Sequence, residues 1–188
     1  RARAVQDLQA DDLVLTMDNG PQALIWVGHM NMARADNNAS IVIPKGALGG
    51  NTPRAQSAVS PQHRVSIRPK NAARMFGATD VLIPAKKLLS LAGVETLESP
   101  ANGVAYWHLL FDDHQIIWSN GAPTESLYTG PQALNAISPE GLKEIQTLFP
   151  EVCEPDFKPT AARFIPQKGG QMKKLVQRHQ ANNKPLFC

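Results

Sequence analysis

The sequence predicts one mainly β domain with helices towards its C-terminal end. Fifteen prolines and thirteen glycines in 188 residues argue against a helical bundle and for many short elements joined by turns. Runs of apolar residues with the length and composition of strands fill residues 5–121, whereas sustained helical spacing begins only after residue 121. The hydrophobic fraction of 43% is sufficient for a chain of this length to bury one core.

The first third of the chain is predicted to form strands around a tight turn. Residues 11–16 make an apolar run typical of a strand, and Asp18, Asn19 and Gly20 close it, because Asn-Gly is a strong hairpin signal. Residues 23–30 are expected to return as one strand. The expectations that follow are, in order, a loop over residues 34–39, a strand over 40–44 and a mobile, glycine-rich connection over 46–53.

The middle third is predicted to contain a helical turn over residues 72–76, a strand over 80–84 and a short helix over 85–91. Two β-rich runs, residues 104–111 and 114–121, then flank Asp112 and Asp113, which is a hairpin pattern. This is the most aromatic part of the protein and is expected in the core. The tryptophans are expected to be core residues by default: Trp26, Trp107 and Trp118.

Helical patterns dominate the last third. Residues 131–137 and 139–149 have helical spacing, and Ser138 stands in the N-cap position of the second segment. Residues 150–159 are predicted to form a linker-like loop. A basic helix is predicted over residues 171–182, with one face formed by Met172, Leu175, Val176 and His179.

Composition argues against several classes of function. The net charge of +3 is too small, and its basic residues too scattered, for a nucleic-acid footprint. No apolar run approaches about 18 residues, so no membrane span is expected, and Arg1 leads into a mixed segment without signal-peptide character. Cys153 and Cys188 provide neither a disulfide framework nor metal-ligand spacing. We expect a monomer without cofactor, metal or nucleic-acid partner.

The most informative short stretch is residues 59–65. Serine followed by proline favours a type I turn, which brings its first and fourth residues, here Ser60 and His63, within about 7 Å at the Cα atoms. Val65 and Ile67 then alternate with polar neighbours, which predicts a half-buried strand. A hydroxyl and an imidazole at the root of a strand could act on a peptide bond. From this stretch alone, a surface turn with an ordinary histidine is the favoured interpretation.

Longer segments resemble the hedgehog–intein (Hint) autoprocessing domains. Residues 7–8 with 12–16 are similar to the segment that follows the first strand of these domains, and residues 59–65 to their Thr-x-x-His block, with serine for threonine. Residues 106–127 are similar to the C-terminal block of a bacterial Hint subfamily. Its members often end in a helix like residues 175–179 followed by a segment like residues 183–186. The resemblance spans nearly the whole chain.

The resemblance implies an all-β, horseshoe-like fold of two pseudo-symmetric halves. Residues 1–127 would form the Hint-like β domain, and residues 128–188 a helical extension packed on it. It also implies self-cleavage from a fused upstream polypeptide, in which a cysteine at the first residue of the domain converts the preceding peptide bond into a thioester. In this scheme His63 protonates the departing amine, and Ser60 donates a hydrogen bond to the scissile amide.

Two departures from the family pattern matter. Arg1 lies inside that pattern, so the cysteine-bearing strand is expected upstream of it, and neither Cys153 nor Cys188 takes its place. Where inteins finish with His-Asn, residues 123–126 read Pro-Thr-Glu-Ser. Splicing is therefore not expected, and N-terminal cleavage is the most that the motif supports. The compartment stays open; a secreted or cell-surface protein of a bacterium is one interpretation.

Alternatives remain at each level. The domain could instead be a degenerate Hint fold that acts as a non-catalytic interaction module of a larger surface or secreted protein. A thiol hydrolase that uses Cys188 is the third hypothesis. His108 is either a catalytic or a hydrogen-bonded core histidine. His114 is either kept protonated by Asp113 and its acidic neighbour or exposed at a hairpin tip. The candidate catalytic residues are therefore His63, Ser60, His108, His114 and Asp113, while His29 and His179 are taken as structural.

Overall fold

The structure, a computed structural model, describes residues 1–33, 39–98, 100–135 and 137–187. Within these ranges the strands are β1 (Leu13–Leu15), β2 (Pro21–Ala23), β3 (Trp26–Met32), β4 (Ser40–Ile43), β5 (Ser57–Val59), β6 (Arg64–Ile67), β7 (Val81–Pro84), β8 (Glu95–Leu97), β9 (Val104–Leu110), β10 (Ile116–Ser119) and β11 (Ala122–Glu125). The α-helices are α1 (Ala72–Phe76), α2 (Pro131–Leu134), α3 (Pro139–Leu148) and α4 (Gly169–Ala181). Short 3-10 helices occupy Val5–Asp7, Ala85–Ser90 and Pro150–Cys153.

The strands pair antiparallel in four small sheets. A four-stranded sheet has the order β10-β11-β6-β7, a three-stranded sheet the order β5-β4-β8, and two ribbons consist of β1-β2 and β3-β9. The predicted class, mainly β with a C-terminal helix, is confirmed. Among the described residues, no helix combines the length and apolar character needed to cross a bilayer.

The first hairpin turn forms as predicted, but its second arm is shorter. The amide of Thr16 donates to the carbonyl oxygen of Gly20 over 2.9 Å, and Gly20 has a φ of +65°, which favours glycine. The expected strand over residues 23–30 is wrong, because the chain changes partner between β2 and β3. The amide of Leu24 still bonds to Asp12, whereas that of Ile25 bonds to Leu110.

The predicted hairpin around Asp112 and Asp113 is also wrong. β9 pairs along its whole length with β3, whereas β10 pairs with β11, so the acidic pair connects two different sheets. The hairpin is formed instead by β10 and β11 around Asn120 and Gly121, whose φ angles are +50° and +78°, as a type I′ turn requires. Sequence reasoning missed β11, since Pro123 argues against a strand in that segment.

The largest core cluster lies between the two larger sheets and α4. Val65 and Ile67 of β6 and Leu175 and Val176 of α4 are all fully buried within it. The predicted apolar face of α4 is confirmed. β6 differs from its prediction: Ser66 is also buried, because the strand lies inside its sheet and is covered on both faces.

A second cluster gathers around Trp26, whose indole nitrogen donates to the carboxylate of Glu144 on α3 over 2.6 Å. The N-cap prediction for α3 is confirmed, since the hydroxyl of Ser138 accepts a hydrogen bond from the amide of Gly141 over 3.1 Å. The core expectation fails for Trp118, whose side chain is 40% exposed and meets the ring of Phe187 edge-on. Trp107 is half-buried.

The glycine-rich segment over residues 46–53 is a closed loop and not the loose connection that was expected. The amide of Leu48 donates to the carbonyl oxygen of Thr52, and the carbonyl oxygen of Leu48 accepts from the amides of Leu186 and Phe187. The side chain of Leu48 is fully buried in the largest core cluster. Of the earlier expectations, residues 34–38 of the predicted loop and Cys188 lie outside the described residues.

Leu48→Ala should lower the free energy of unfolding by about 2–5 kcal/mol, because it removes buried methyl groups and leaves a cavity. The matched control is Leu13→Ala, at a side chain 72% exposed on β1, which should cost less than about 1 kcal/mol. Urea denaturation followed by circular dichroism measures both. Equal losses for the two variants would contradict the burial assigned to the loop.

Candidate functional site

The turn at the start of β6 is held from both sides. The amide of His63 donates to the carbonyl oxygen of Ser60 over 3.1 Å and to its hydroxyl over 3.2 Å. On the other side, the amides of Ala85 and Lys86 donate to the carbonyl oxygens of His63 and Pro61. The predicted turn is therefore present. The Ser60 hydroxyl meets the backbone of His63, and its own hydrogen remains available to donate.

A buried carboxylate, that of Glu125 at the end of β11, lies beside this turn. Its Oε1 atom accepts from the backbone amide of Arg64 and its Oε2 atom from the Arg64 guanidinium, both over 2.8 Å. The Nε2 atom of His114 lies 3.5 Å from Oε2. Burial raises the pKa of Glu125, but His114, His63 and Arg64 together lower it by more, so the pKa lies below its ordinary value. The carboxylate is therefore a charged group at neutral pH.

His114 is not at an exposed hairpin tip. Its side chain is 3% exposed, its ring centroid lies 5.1 Å from that of Tyr128, and its Nδ1 atom accepts a hydrogen bond from the amide of Ala162 over 3.1 Å. Asp113 is exposed and forms no hydrogen bond or ion pair with any other described residue. The structure therefore brings His114, but not Asp113, to the site.

His63 and His108 both have pKa values below the ordinary value for histidine. Burial lowers the pKa of His63, Glu125 raises it, and Arg64 and His114 lower it again, with a net shift below the ordinary value. His108, which lies opposite Gly28 in the β3-β9 ribbon, has a pKa lowered to about 4 by burial and by His63. Both rings are therefore mostly neutral at pH 7, with one N–H donor and one lone pair each, and the protonated fraction of His63 can act as an acid.

The site thus combines neutral imidazoles with a buried anion and the hydroxyl of Ser60. Such a set can hold a peptide group by hydrogen bonds and can give or take a proton. Within the described residues, no group of three or more His, Cys, Asp and Glu side chains has the arrangement needed to hold a metal ion.

Sequence reasoning missed four contributors to this site: Arg64, Glu125, Tyr128 and Ala162. Arg64 and Glu125 stand in the segments that carried the family resemblance, but nothing in the sequence pairs residues 61 positions apart. The Arg64 guanidinium carbon also lies 5.7 Å from the centre of the Tyr128 ring, a cation–π distance. Ala162 contributes only its backbone amide, which has no sequence signature.

Short antiparallel sheets, with histidines and a buried carboxylate gathered at the root of one strand, define a β domain that carries groups able to exchange protons. A sequence model of the Hint domain family matches residues 2–131, more than half of the chain. The chain therefore belongs to the Hint domain family, and is a domain of the self-processing type. No curated protein and no solved structure matches it.

The lowered pKa of His108 predicts acid sensitivity. The unfolded chain, with a histidine pKa near 6.5, binds more protons than the folded chain until the pH reaches about 4. Stability should therefore fall as the pH falls from 6.5 to 4, by up to about 3 kcal/mol from this residue, and His63 acts in the same direction.

Urea denaturation between pH 7 and pH 5 measures this loss. His108→Gln should reduce the pH dependence, whereas Trp107→Phe, at the preceding position of β9, should keep the parental dependence because it removes no titrating group. A His108 ring that titrates near pH 6.5 in NMR spectra of the folded chain would contradict the prediction.

Proposed function

We propose that this domain cleaves the peptide bond that joins it to an upstream polypeptide, through a thioester. The thiolate of a cysteine at the first residue of the domain attacks the carbonyl carbon of the preceding residue. The carbon–nitrogen bond breaks, a thioester forms, and the amine leaves with a proton from the protonated form of the His63 ring, which becomes neutral. Water then adds to the thioester, which releases the upstream carboxylic acid and returns the thiol. The proposal requires a cysteine-bearing strand ahead of Arg1.

The observation that supports this function best is the fixed backbone position of His63. Three hydrogen bonds between backbone groups and one from the His63 amide to the Ser60 hydroxyl hold its turn; two lie within residues 60–63, and Ala85 and Lys86 donate one each. A general acid must lie within hydrogen-bond reach of the group that it protonates, and a fixed backbone keeps it there. Glu125 provides the negative charge that favours protonation of His63.

The other candidate residues have lesser roles in the proposal. Ser60 donates a hydrogen bond to the scissile amide, and His108, the neutral neighbour of His63, is a second group able to exchange a proton. We assign His114 to the support of Glu125 and give Asp113 no role. In the division that we propose, residues 1–127 form the β domain and residues 128–188 the extension packed on it.

The main test uses a fusion protein that carries a reporter and a cysteine-bearing Hint first strand ahead of Arg1. His63→Ala should slow thiol-induced cleavage by roughly 10²–10⁴-fold, the usual contribution of a general acid. Ser60→Ala should cost at most about tenfold, because one neutral hydrogen bond contributes about 0.5–1.5 kcal/mol. Ser60→Thr keeps the hydroxyl and should be tolerated. Gel analysis of the released reporter measures the rates.

Two controls accompany this series. Alanine in place of the upstream cysteine should abolish cleavage, and the polypeptide of residues 1–188 alone should keep its mass of 20.4 kDa in dithiothreitol, as read by mass spectrometry. Parental cleavage by a folded His63→Ala variant would remove His63 from the mechanism. A folded parental fusion that never cleaves would instead favour the second function, a non-catalytic interaction module.

A further inference from the structure

A segment beyond the family match reaches back to the site. Residues 159–164, here called the strap, are anchored at both ends. The Tyr128 hydroxyl donates to the carbonyl oxygen of Pro159 over 3.0 Å. At the other end, the amide of Leu82 donates to the carbonyl oxygen of Phe164 over 2.9 Å, and Arg163 pairs with Asp18 over 2.6 Å.

The middle of the strap determines the tautomer of His114. The amide of Ala162 donates to the Nδ1 atom of His114, and a ring nitrogen that accepts a hydrogen bond carries no hydrogen. The neutral ring therefore has its hydrogen on Nε2. That nitrogen is buried and without a hydrogen-bond partner among the described residues, and its charged neighbour is the Glu125 carboxylate at 3.5 Å.

We propose that Glu125 is a positioning residue for the self-cleavage, and that the strap fixes His114 as the Nε2–H form that faces this carboxylate. The role of Glu125 in cleavage rests on the proposed function, whereas the contacts of His114 and Glu125 do not depend on it. Glu125 acts through His63 in two ways: it accepts hydrogen bonds from the amide and guanidinium of Arg64, the next residue in the chain, and its negative charge raises the pKa of the His63 ring.

The charges around His63 explain why Glu125 matters. The described charged groups that shift the pKa of the ring are Glu125, Arg64 and His114, and His63 in turn lowers the pKa of His108. Glu125 alone among them favours the protonated ring, and it opposes the effect of burial. Without this carboxylate, His63 would be protonated in a smaller fraction of molecules at neutral pH and would give up its proton to the departing amine less often.

The first experiment reads the tautomer of His114 in the unaltered polypeptide of residues 1–188. Long-range ¹H–¹⁵N NMR spectra, recorded where the ring is neutral, should show the hydrogen on Nε2 and a lone pair on Nδ1. A hydrogen on Nδ1 would overturn the role given to the strap. This measurement needs neither a variant nor cleavage, so it tests the tautomer of His114 even if the proposed function fails.

The second experiment compares Glu125→Gln with Glu144→Gln, the same change at the carboxylate that accepts from Trp26. Glu125→Gln should lower the NMR-measured pKa of His63 by about one unit, the low end of the range for a nearby opposite charge; Glu144→Gln should leave it at the parental value. Arg64→Gln should shift it upward, whereas Arg64→Lys, which keeps the positive charge, should not; damage that exposes the ring to water would raise the pKa in both variants. This pair also keeps the proposal testable if Glu125→Gln fails to fold.

In the cleaving fusion, Glu125→Gln should slow release by about tenfold at pH 7.5 and by less at pH 6, where more of the His63 rings are protonated. An unchanged His63 titration together with an unchanged pH–rate profile would refute the role of Glu125. If the His63 titration shifts as expected while the parental fusion never cleaves, the electrostatic coupling stands and the proposed cleavage fails.

Discussion

The site depends on one buried charge. A carboxylate taken from water into a protein interior costs several kcal/mol unless partners replace its hydration. Glu125 has such partners in the amide and guanidinium of Arg64, and the ring of His114 lies 3.5 Å from it. β6 and β11 share a single register pair, Thr124 with Val65, whereas β6 and β7 share four. The Glu125 carboxylate thus extends the short β6–β11 pairing by hydrogen bonds to Arg64. It connects the two strands beside His63, the residue that precedes β6.

Features determined by neighbouring residues could be predicted from the sequence. The turn at Asn19 and Gly20 needs a positive φ only at Gly20, the N-cap of α3 needs only Ser138, and the buried face of α4 follows from helical spacing. The Ser60–His63 turn belongs to the same group. The partner of β9 could not be predicted, because β-rich runs on either side of a polar dipeptide are equally compatible with a hairpin and with a crossing between sheets.

Only part of the site could be predicted from the sequence, for a related reason. The spacing of Ser60 and His63 is a local signal, whereas the burial of Glu125 depends on a strand pairing across 61 residues. A segment that reads Pro-Thr-Glu-Ser has no strand pattern, and its buried Glu125 and Ser126 side chains accept hydrogen bonds from Arg64 and Gln115, elsewhere in the chain. Ala162 contributes a backbone amide, and any residue except proline could do the same.

The position of α4 shows that the end of the family match is not the end of the folded core. The family match ends at residue 131, yet Met172, Leu175, Val176 and Leu186 belong to the same buried cluster as the strands β4, β6 and β7. A chain cut at residue 131, where the family match ends, would lose the α4 part of this cluster and expose the remaining apolar side chains to water. In this protein, the unit recognised by sequence similarity is smaller than the unit that completes a hydrophobic core. The helical segment is therefore expected to be inherited together with the β domain.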